Sequence, residues 1–379
     1  MKRMFIRAIA PVLLLACTLT ACRAGEPIAD GQRYGTDKPT DTPVTVSTPS
    51  PSPSPTPTPT TEPEPTAKPV NFSVVKPYEV GQTMVIMYHG IVDSRADNEV
   101  YQRTREELRN DLQALYDRGY RLISMKDLYE NNVTTAAGYT PVVITFDDGL
   151  ASSFSLVEEN GVLVPTPGCG LDIIMQFAAE HPDFGMAATF YVNGAPTPFA
   201  GAGTVAERLQ FLIDNGCDVG NHTYSHADLY TLSAEGIQRE MALVDKMIRE
   251  ALPDYEPIGV AYPLGKRPES DMLRPLVFAG ESDGWAYTYE YGLAVGQSGV
   301  SSTPNRVSFN PWNLSRVRGG HGSEMDLWWF IEQLDEFPER RYISDGDPNT
   351  IAVPNEYAHN VDMETIGQKE LLLYDLPTE

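Results

Sequence analysis

Four side chains in this sequence have the types and spacing for hydrolytic metal chemistry. Two adjacent carboxylates, Asp147 and Asp148, close the apolar run from Val142 to Phe146 and are followed by Gly149. Like charges side by side at the end of a buried strand repel, and a dry environment makes that worse. A cation or a proton-bearing group is therefore expected beside them. The stretch GNHTYSHADL (220–229) supplies one: His222 and His226, four apart, follow a short apolar strand. If the chain enters a helical turn there, both imidazoles share a face and can grip one ion. Two imidazoles and one carboxylate form a three-ligand set with open positions for water and substrate. Asp148 is then the carboxylate the ion neutralises. Asp147 is left free to take a proton from a water whose pKa the metal lowers. A His-x-x-x-His pair alone also fits a simple hydrogen-bonded pair, but this chain has only six histidines.

The elements that must position these groups alternate. Strand-like segments are read at 83–90, PVVITFDD, AATFYVNG (187–194), CDVGNH (217–222), PIGVAYPLG (257–265) and GWAYTYE (284–290). Between them lie helical patterns at 102–120, 170–182, 204–216 and 235–252; the first places Leu108, Leu112, Leu115 and Tyr116 on one face. Pro182 and Gly216 stop two of these helices. Alternating β and α over this length predicts a parallel sheet covered by helices, with the chemistry in loops at the carboxyl ends of the strands.

Composition narrows the partners. The chain has 379 residues, 41% of them hydrophobic, 21% charged, and a formal net charge of −24. Such a surface repels phosphates, so nucleic acid is not an expected partner. Residues 1–21 have the basic start, short apolar stretch and small-residue ending of a secretory signal, and LTAC (19–22) resembles the lipobox of bacterial lipoproteins, with Cys22 as the lipidated residue. Residues 22–73 carry a Pro/Ser/Thr-rich stalk that favours extended polyproline II. A catalytic domain is expected over 74–345 and a C-terminal extension without an assigned role over 346–379. These features predict an extracytoplasmic protein anchored to the cell membrane through Cys22. Cys169 and Cys217 remain as a possible disulfide, and neither belongs to a Cys-x-x-Cys pair.

TFDDG (145–149), the His pair in HTYSH (222–226) and AYPLG (261–265) together resemble the NodB-homology polysaccharide deacetylases, carbohydrate esterase family four. ATFYV (188–192) fits the family's next strand, and the resemblance spans roughly residues 80 to 320. It implies an α/β fold, a distorted (β/α)₇ barrel, a divalent metal that is most often Zn²⁺, and removal of acetyl groups from an acetylated polysaccharide. Residue by residue it implies Asp147 as general base, Asp148, His222 and His226 as metal ligands, and the backbone N–H of Leu264 as oxyanion donor. Leu264 stands where the family usually has an aromatic residue. Most members place the general-acid histidine in a late Leu-x-His motif, and RGGHG (319–323) is too rich in glycine to provide it. VIMYHG (85–90) instead resembles the permuted branch, which includes biofilm poly-N-acetylglucosamine deacetylases, and this makes His89 the acid. In a closed barrel the first and last strands are neighbours, so one spot is reachable from either terminus.

Two family features are displaced. The arginine that pairs with the base aspartate is replaced by Ala261, with Lys266, Arg267 and Arg316 as candidate substitutes. The aspartate–tryptophan motif has Asp283 with Trp285, or Trp312, as candidates, all three read more simply as wall or core residues. His181 and His359 receive no role. The segment 155–186, longer than the family's usual connection, is a candidate for shaping the groove. The expected activity is N-deacetylation of an extracellular polysaccharide; an O-acetyl esterase on xylan or a related glycan, and a catalytically silent glycan-binding module, are the alternatives.

Overall fold

Seven short parallel strands carry the fold of the computed structural model, which describes residues 70–96, 98–295, 301–321, 323–324 and 326–377. They are β1 (Gln82–Tyr88), β2 (Thr140–Phe146), β3 (Ala188–Val192), β4 (Cys217–Asn221), β5 (Gly259–Ala261), β6 (Tyr291–Leu293) and β7 (Val317–Arg318). The first six pair in chain order, and β7 returns to pair with β1 through Ile86–Val317 and Met87–Arg318. A parallel bridge between Leu293 and Leu314 links β6 to the segment leading into β7. The result is a distorted (β/α)₇ barrel in which the first and last strands are neighbours. The same sheet also includes Tyr120–Leu122, parallel to β2, and Ser301–Ser302, antiparallel to β1. The segments expected to be a signal and a stalk, with Cys22 between them, lie outside the described residues up to residue 69. Among the described residues no helix is long and apolar enough to cross a membrane.

Among the described residues, five helices of ten residues or more flank the strands: α1 (Arg105–Asp117), α2 (Gly170–Glu180), α3 (Val205–Asp214), α4 (Ala234–Ala251) and α5 (Leu327–Glu336). Thr104 with Glu107 and Thr204 with Glu207 form reciprocal capping boxes that start α1 and α3. Helix α1 is shorter than its pattern predicts because Gln102–Thr104 pairs as a strand with Gly90–Val92. Each amphipathic helix buries its apolar face against the sheet; Leu108, Leu112 and Leu115 of α1 are fully buried.

Strand parity divides the core. Met84, Ile86, Tyr88, Val142, Ile144, Phe146, Phe190 and Val192 face the helix layer. Val85, Val143, Tyr191, Ala261 and Leu293 form a second cluster inside the barrel. Because side chains alternate along a strand, the residues that continue the inner set are Met87 and His89, Thr145 and Asp147, and Gly220 and His222. The barrel interior is thus apolar through its middle and becomes ionisable at the carboxyl ends of its strands.

One segment departs from expectation. GWAYTYE does not supply a barrel strand: Trp285–Thr288 pairs antiparallel with Ala279–Ser282 in a separate hairpin that packs on α4, and the barrel continues at Tyr291–Leu293. The alternation of apolar residues is real, but it serves a two-stranded ribbon with only Tyr287 fully buried. The strand expected over 257–265 is confined to Gly259–Ala261, since Pro263 and the tight turn after it end pairing. Cys169 and Cys217 are both buried and unpaired thiols.

The C-terminal residues pack on the entry to the barrel. Thr350–Pro354 pairs in parallel with Glu370–Tyr374, and Ile351 and Val353 cluster with Tyr78 and Val80. Between those two lies Glu79, only 2% exposed, accepting from Ala352 N–H at 2.8 Å and from the Tyr342 hydroxyl at 3.1 Å. Burial, reinforced by the charge of Asp345, pushes the Glu79 carboxyl up to about 8. The folded state therefore holds a proton between pH ~4.5 and ~8 that the unfolded chain releases, so this group's contribution is fullest below pH ~4.5 and is lost as pH rises through 8. Thermal unfolding of the wild type should show a fall in Tm between pH 6 and 9 that Glu79→Gln flattens; parallel pH profiles for the two proteins would refute the assignment.

Candidate active site

The carboxyl ends of β1, β2, β4 and β5 meet at a cavity of about 280 Å³ whose wall includes His89, Asp147, Asp148, His222, His226, Leu264 and Arg316. Every site residue expected from the sequence within the described region lines it. Asp147 continues β2, its N–H donating to Tyr88 O at 3.0 Å, and its carboxylate enters the barrel by strand parity. Asp148 would point to the opposite face, but its φ of +73° turns the chain back so that both neighbours reach the same space. Left-handed backbone is costly for a residue with a Cβ and collects at functional sites. Thr223, His226 and Leu264 share it, at φ +61°, +55° and +58°.

The His pair meets differently from the helical turn expected. Residues 222–226 form a loop in which two left-handed residues, Thr223 and His226, bring the imidazoles to a centroid separation of 5.0 Å. Asn193, at the end of β3, donates from one side-chain nitrogen to His222 O at 2.6 Å and Thr223 O at 2.9 Å. The Glu240 carboxylate on α4 accepts from Ser225 N–H at 2.8 Å and from its hydroxyl at 2.9 Å. Neither support is evident from the sequence pattern. Asn193 was signalled only by its place one residue beyond a buried strand, and Glu240 sat unremarked in a helical pattern.

The three ligand candidates fit one ion. Asp148 Oδ1 lies 3.4 Å from His222 Nε2 and 3.5 Å from His226 Nε2. Two donors each ~2.1 Å from one tetrahedral ion stand about 3.4 Å apart. Asp148 Oδ1 is buried without a hydrogen-bond partner, a costly state for a carboxylate oxygen unless something positive occupies the gap. His222 Nδ1 lies 2.8 Å from Ala261 O; donating there fixes the tautomer and leaves Nε2 with its lone pair toward Asp148. Burial alone would lower the His222 pKa, but the charges of Asp147 and Asp148 raise it; His226 is lowered by burial and by the neighbouring His222.

Asp147 has a different partner. Arg316 Nη1 and Nη2 donate to its two oxygens at 2.7 Å each, with arginine and aspartate 1% and 2% exposed. Arg316 also donates to Thr145 Oγ1 at 3.1 Å and Ala294 O at 3.3 Å. Burial would raise the Asp147 carboxyl; the guanidinium, with His222, instead holds it well below the usual carboxylate range. Of the three cations weighed as substitutes for the arginine missing at position 261, the structure brings Arg316 to Asp147. Lys266 pairs with Asp228 at 2.6 Å, and Arg267 lines a neighbouring groove.

His89 follows Tyr88, whose hydroxyl donates to buried Asp111 at 3.0 Å. Asp111 also accepts from Arg103 at 2.6 Å and Trp328 Nε1 at 2.8 Å, tying α1 and α5 to the end of β1. The His89 ring stands edge-on to Tyr101, at 5.1 Å, and its Nδ1 is buried without a partner. Burial lowers its pKa against the pull of Asp147 and Asp148. The Leu264 N–H makes no hydrogen bond among the described residues, and its side chain is 58% exposed at the rim. His321 is exposed against Trp328, and Trp285 donates to Asp245 at 2.8 Å outside the cavity. Tyr101, half exposed on the cavity wall, was not singled out from sequence.

Residues 175–274 match the sequence model of the polysaccharide deacetylase family. The matched segment contains His222, His226 and Leu264 of the deacetylase pattern, while His89, Asp147, Asp148 and Arg316 fall outside it. A chitooligosaccharide deacetylase of Sinorhizobium fredii is 27% identical over 131 residues, 35% of this chain and 50% of that protein. The chain spans about half the length of the curated relatives it matches. Among solved structures, the Streptococcus pyogenes deacetylase PplD in complex with acetate aligns with TM-score 0.48 and 20% identity, covering 66% of this chain and 97% of that one. The putative polysaccharide deacetylase BA0330 of Bacillus anthracis aligns with TM-score 0.48 and 18% identity, over 66% and 68% of the two chains.

Removing the guanidinium leaves a buried carboxylate unpaired. Arg316→Leu should lose about 3–5 kcal/mol of stability by denaturant unfolding, while the double variant Arg316→Leu with Asp147→Asn should recover much of it. Additive losses in that double-mutant cycle would show that the two side chains do not act as a pair.

Proposed function

We propose that this protein is a metal-dependent hydrolase that removes N-acetyl groups from an extracellular or cell-wall polysaccharide. The observation that carries the reading is Asp148 Oδ1, buried, unpartnered, and set within 3.5 Å of two imidazole nitrogens. The family match over 175–274 and the likeness to a chitooligosaccharide deacetylase support a sugar polymer as substrate. A divalent cation, with Zn²⁺ the first candidate for two imidazoles and a carboxylate, would be held by Asp148, His222 and His226, where it would acidify a water and polarise the acetyl carbonyl.

The chain's own residues account for the proton movements. Asp147, kept ionised and fixed in orientation by Arg316, accepts the proton that the attacking water gives up. The Leu264 N–H donates to the oxygen that gains negative charge as the carbonyl becomes tetrahedral. His89 delivers a proton to the departing nitrogen, so that the amine leaves neutral when its bond to the acetyl carbon breaks. Burial of His89 lowers its pKa and makes the protonated ring a ready donor. A histidine at the end of the first strand agrees with the permuted arrangement within the family. The lipobox-like LTAC and the Pro/Ser/Thr-rich stretch support an extracytoplasmic enzyme anchored to the membrane through a lipid on Cys22.

Acetate release from a panel of acetylated glycans should be abolished by a chelator and restored by Zn²⁺. Asp147→Asn should keep its metal by elemental analysis and lose roughly 10²–10⁴-fold in rate, whereas His222→Ala should lose the metal itself; a fully active Asp147→Asn would place the base elsewhere. His89→Ala should slow an N-acetyl substrate far more than an activated aryl acetate, whose leaving group needs no proton. Equal losses on both would rule out its role as acid.

A further inference from the structure

A groove of about 590 Å³ lies next to the catalytic cavity, and Tyr262 lines both. Its floor is aromatic: Tyr262 and Phe278 are buried, and Trp312, 47% exposed, stands edge-to-face on Phe278 at a centroid distance of 4.4 Å. The tryptophan is built in on both sides. Tyr262 donates its hydroxyl to Trp312 O at 2.7 Å, and Asn310 Oδ1 accepts from Trp312 N–H at 3.1 Å. What the groove presents beyond this is a set of donors. Among the described residues, the half-buried Arg267 guanidinium makes no hydrogen bond or ion pair, and neither the Asn310 amide nitrogen nor the indole N–H of Trp312 has an acceptor. The acidic residue in the wall, Asp271, is already paired with Arg274. An uncompensated cation is notable on a chain of formal net charge −24. An aromatic face beside it suits the apolar C–H face of a pyranose, and free donors suit its hydroxyls. The charge calls for an anionic group on the same sugar.

We propose that this groove is a second sugar subsite that selects a carboxylate-bearing residue next to the N-acetylated sugar in the catalytic cavity. The inference rests on the deacetylase reading for its orientation and deepens it by naming the substrate class as an acidic heteropolymer. The pyranose packs on Trp312 while its carboxylate pairs with Arg267, and the chain passes over the exposed Leu264 at the rim into the cavity. The carboxylate can be a lactyl ether or a uronic acid; the pairing is the same.

The test is calorimetric titration of the full chain with three tetrasaccharides: neutral chitotetraose, N-acetylglucosamine alternating with its 3-O-lactyl derivative, and N-acetylglucosamine alternating with glucuronate. At low salt the wild type should bind at least one acidic tetrasaccharide roughly five-fold more tightly than chitotetraose. The lactyl and uronate arms identify the source of the carboxylate. Arg267→Gln should collapse that preference towards one, and Trp312→Ala should weaken all three. An acidic preference that survives Arg267→Gln, or a wild type without any preference, would overturn the subsite. Acetate release from the same sugars separates the two claims. Acidic preference without hydrolysis would sink the deacetylase reading and leave the subsite standing; hydrolysis without preference would do the reverse.

Discussion

The site depends on two adjacent carboxylates lying side by side in a nearly dry space, one paired with a buried guanidinium and the other facing two imidazole nitrogens. Asp147 receives the fork of Arg316, with both oxygens satisfied at 2.7 Å. Asp148 is left facing two imidazole nitrogens with one oxygen unmatched. Without the first pairing, repulsion between neighbours would drive a proton onto one of them. The fully buried guanidinium is thus the constraint that lets Asp147 stay charged beside Asp148. It also explains why Ala261 can stand where an arginine is usual: the charge arrives from the segment before β7, and the backbone carbonyl left at 261 serves His222 instead.

Positioning combines two simple rules. Strand alternation carries His89, Asp147 and His222 into the barrel above an apolar layer of Val85, Val143, Tyr191 and Leu293. Left-handed residues then bring in the groups that alternation would exclude, Asp148 and His226, and expose the Leu264 N–H. That backbone persists because neighbours over-determine it: Asn193 and Glu240 hold the His loop through four hydrogen bonds.

Much of this is legible in the sequence. The capping boxes at Thr104 and Thr204, the apolar periodicity of α1 to α4 and the strand ending in Asp147 and Asp148 are local signals, and local signals survive into the fold. What could not be read is non-local. Trp285–Thr288 has the alternation of a barrel strand but pairs with Ala279–Ser282, and no local pattern tells those partners apart. Arg316 was one of three plausible cations, because choosing among them requires knowing that β7 returns to β1. The loop at 222–226 looked helical by spacing alone, while its two left-handed residues bear no glycine to announce them.

The Asp147–Arg316 pair joins residues 169 positions apart, which has a consequence for assembly. Every strand from β1 to β6 precedes the arginine in the chain, so during synthesis Asp147 emerges before its guanidinium partner. A closed, dry interior is unfavourable until the segment containing residue 316 has emerged, and long-range pairings of this kind form slowly. Closing the wall with the last strand and neutralising the buried carboxylate are therefore one event, since the residue beside β7 brings the charge.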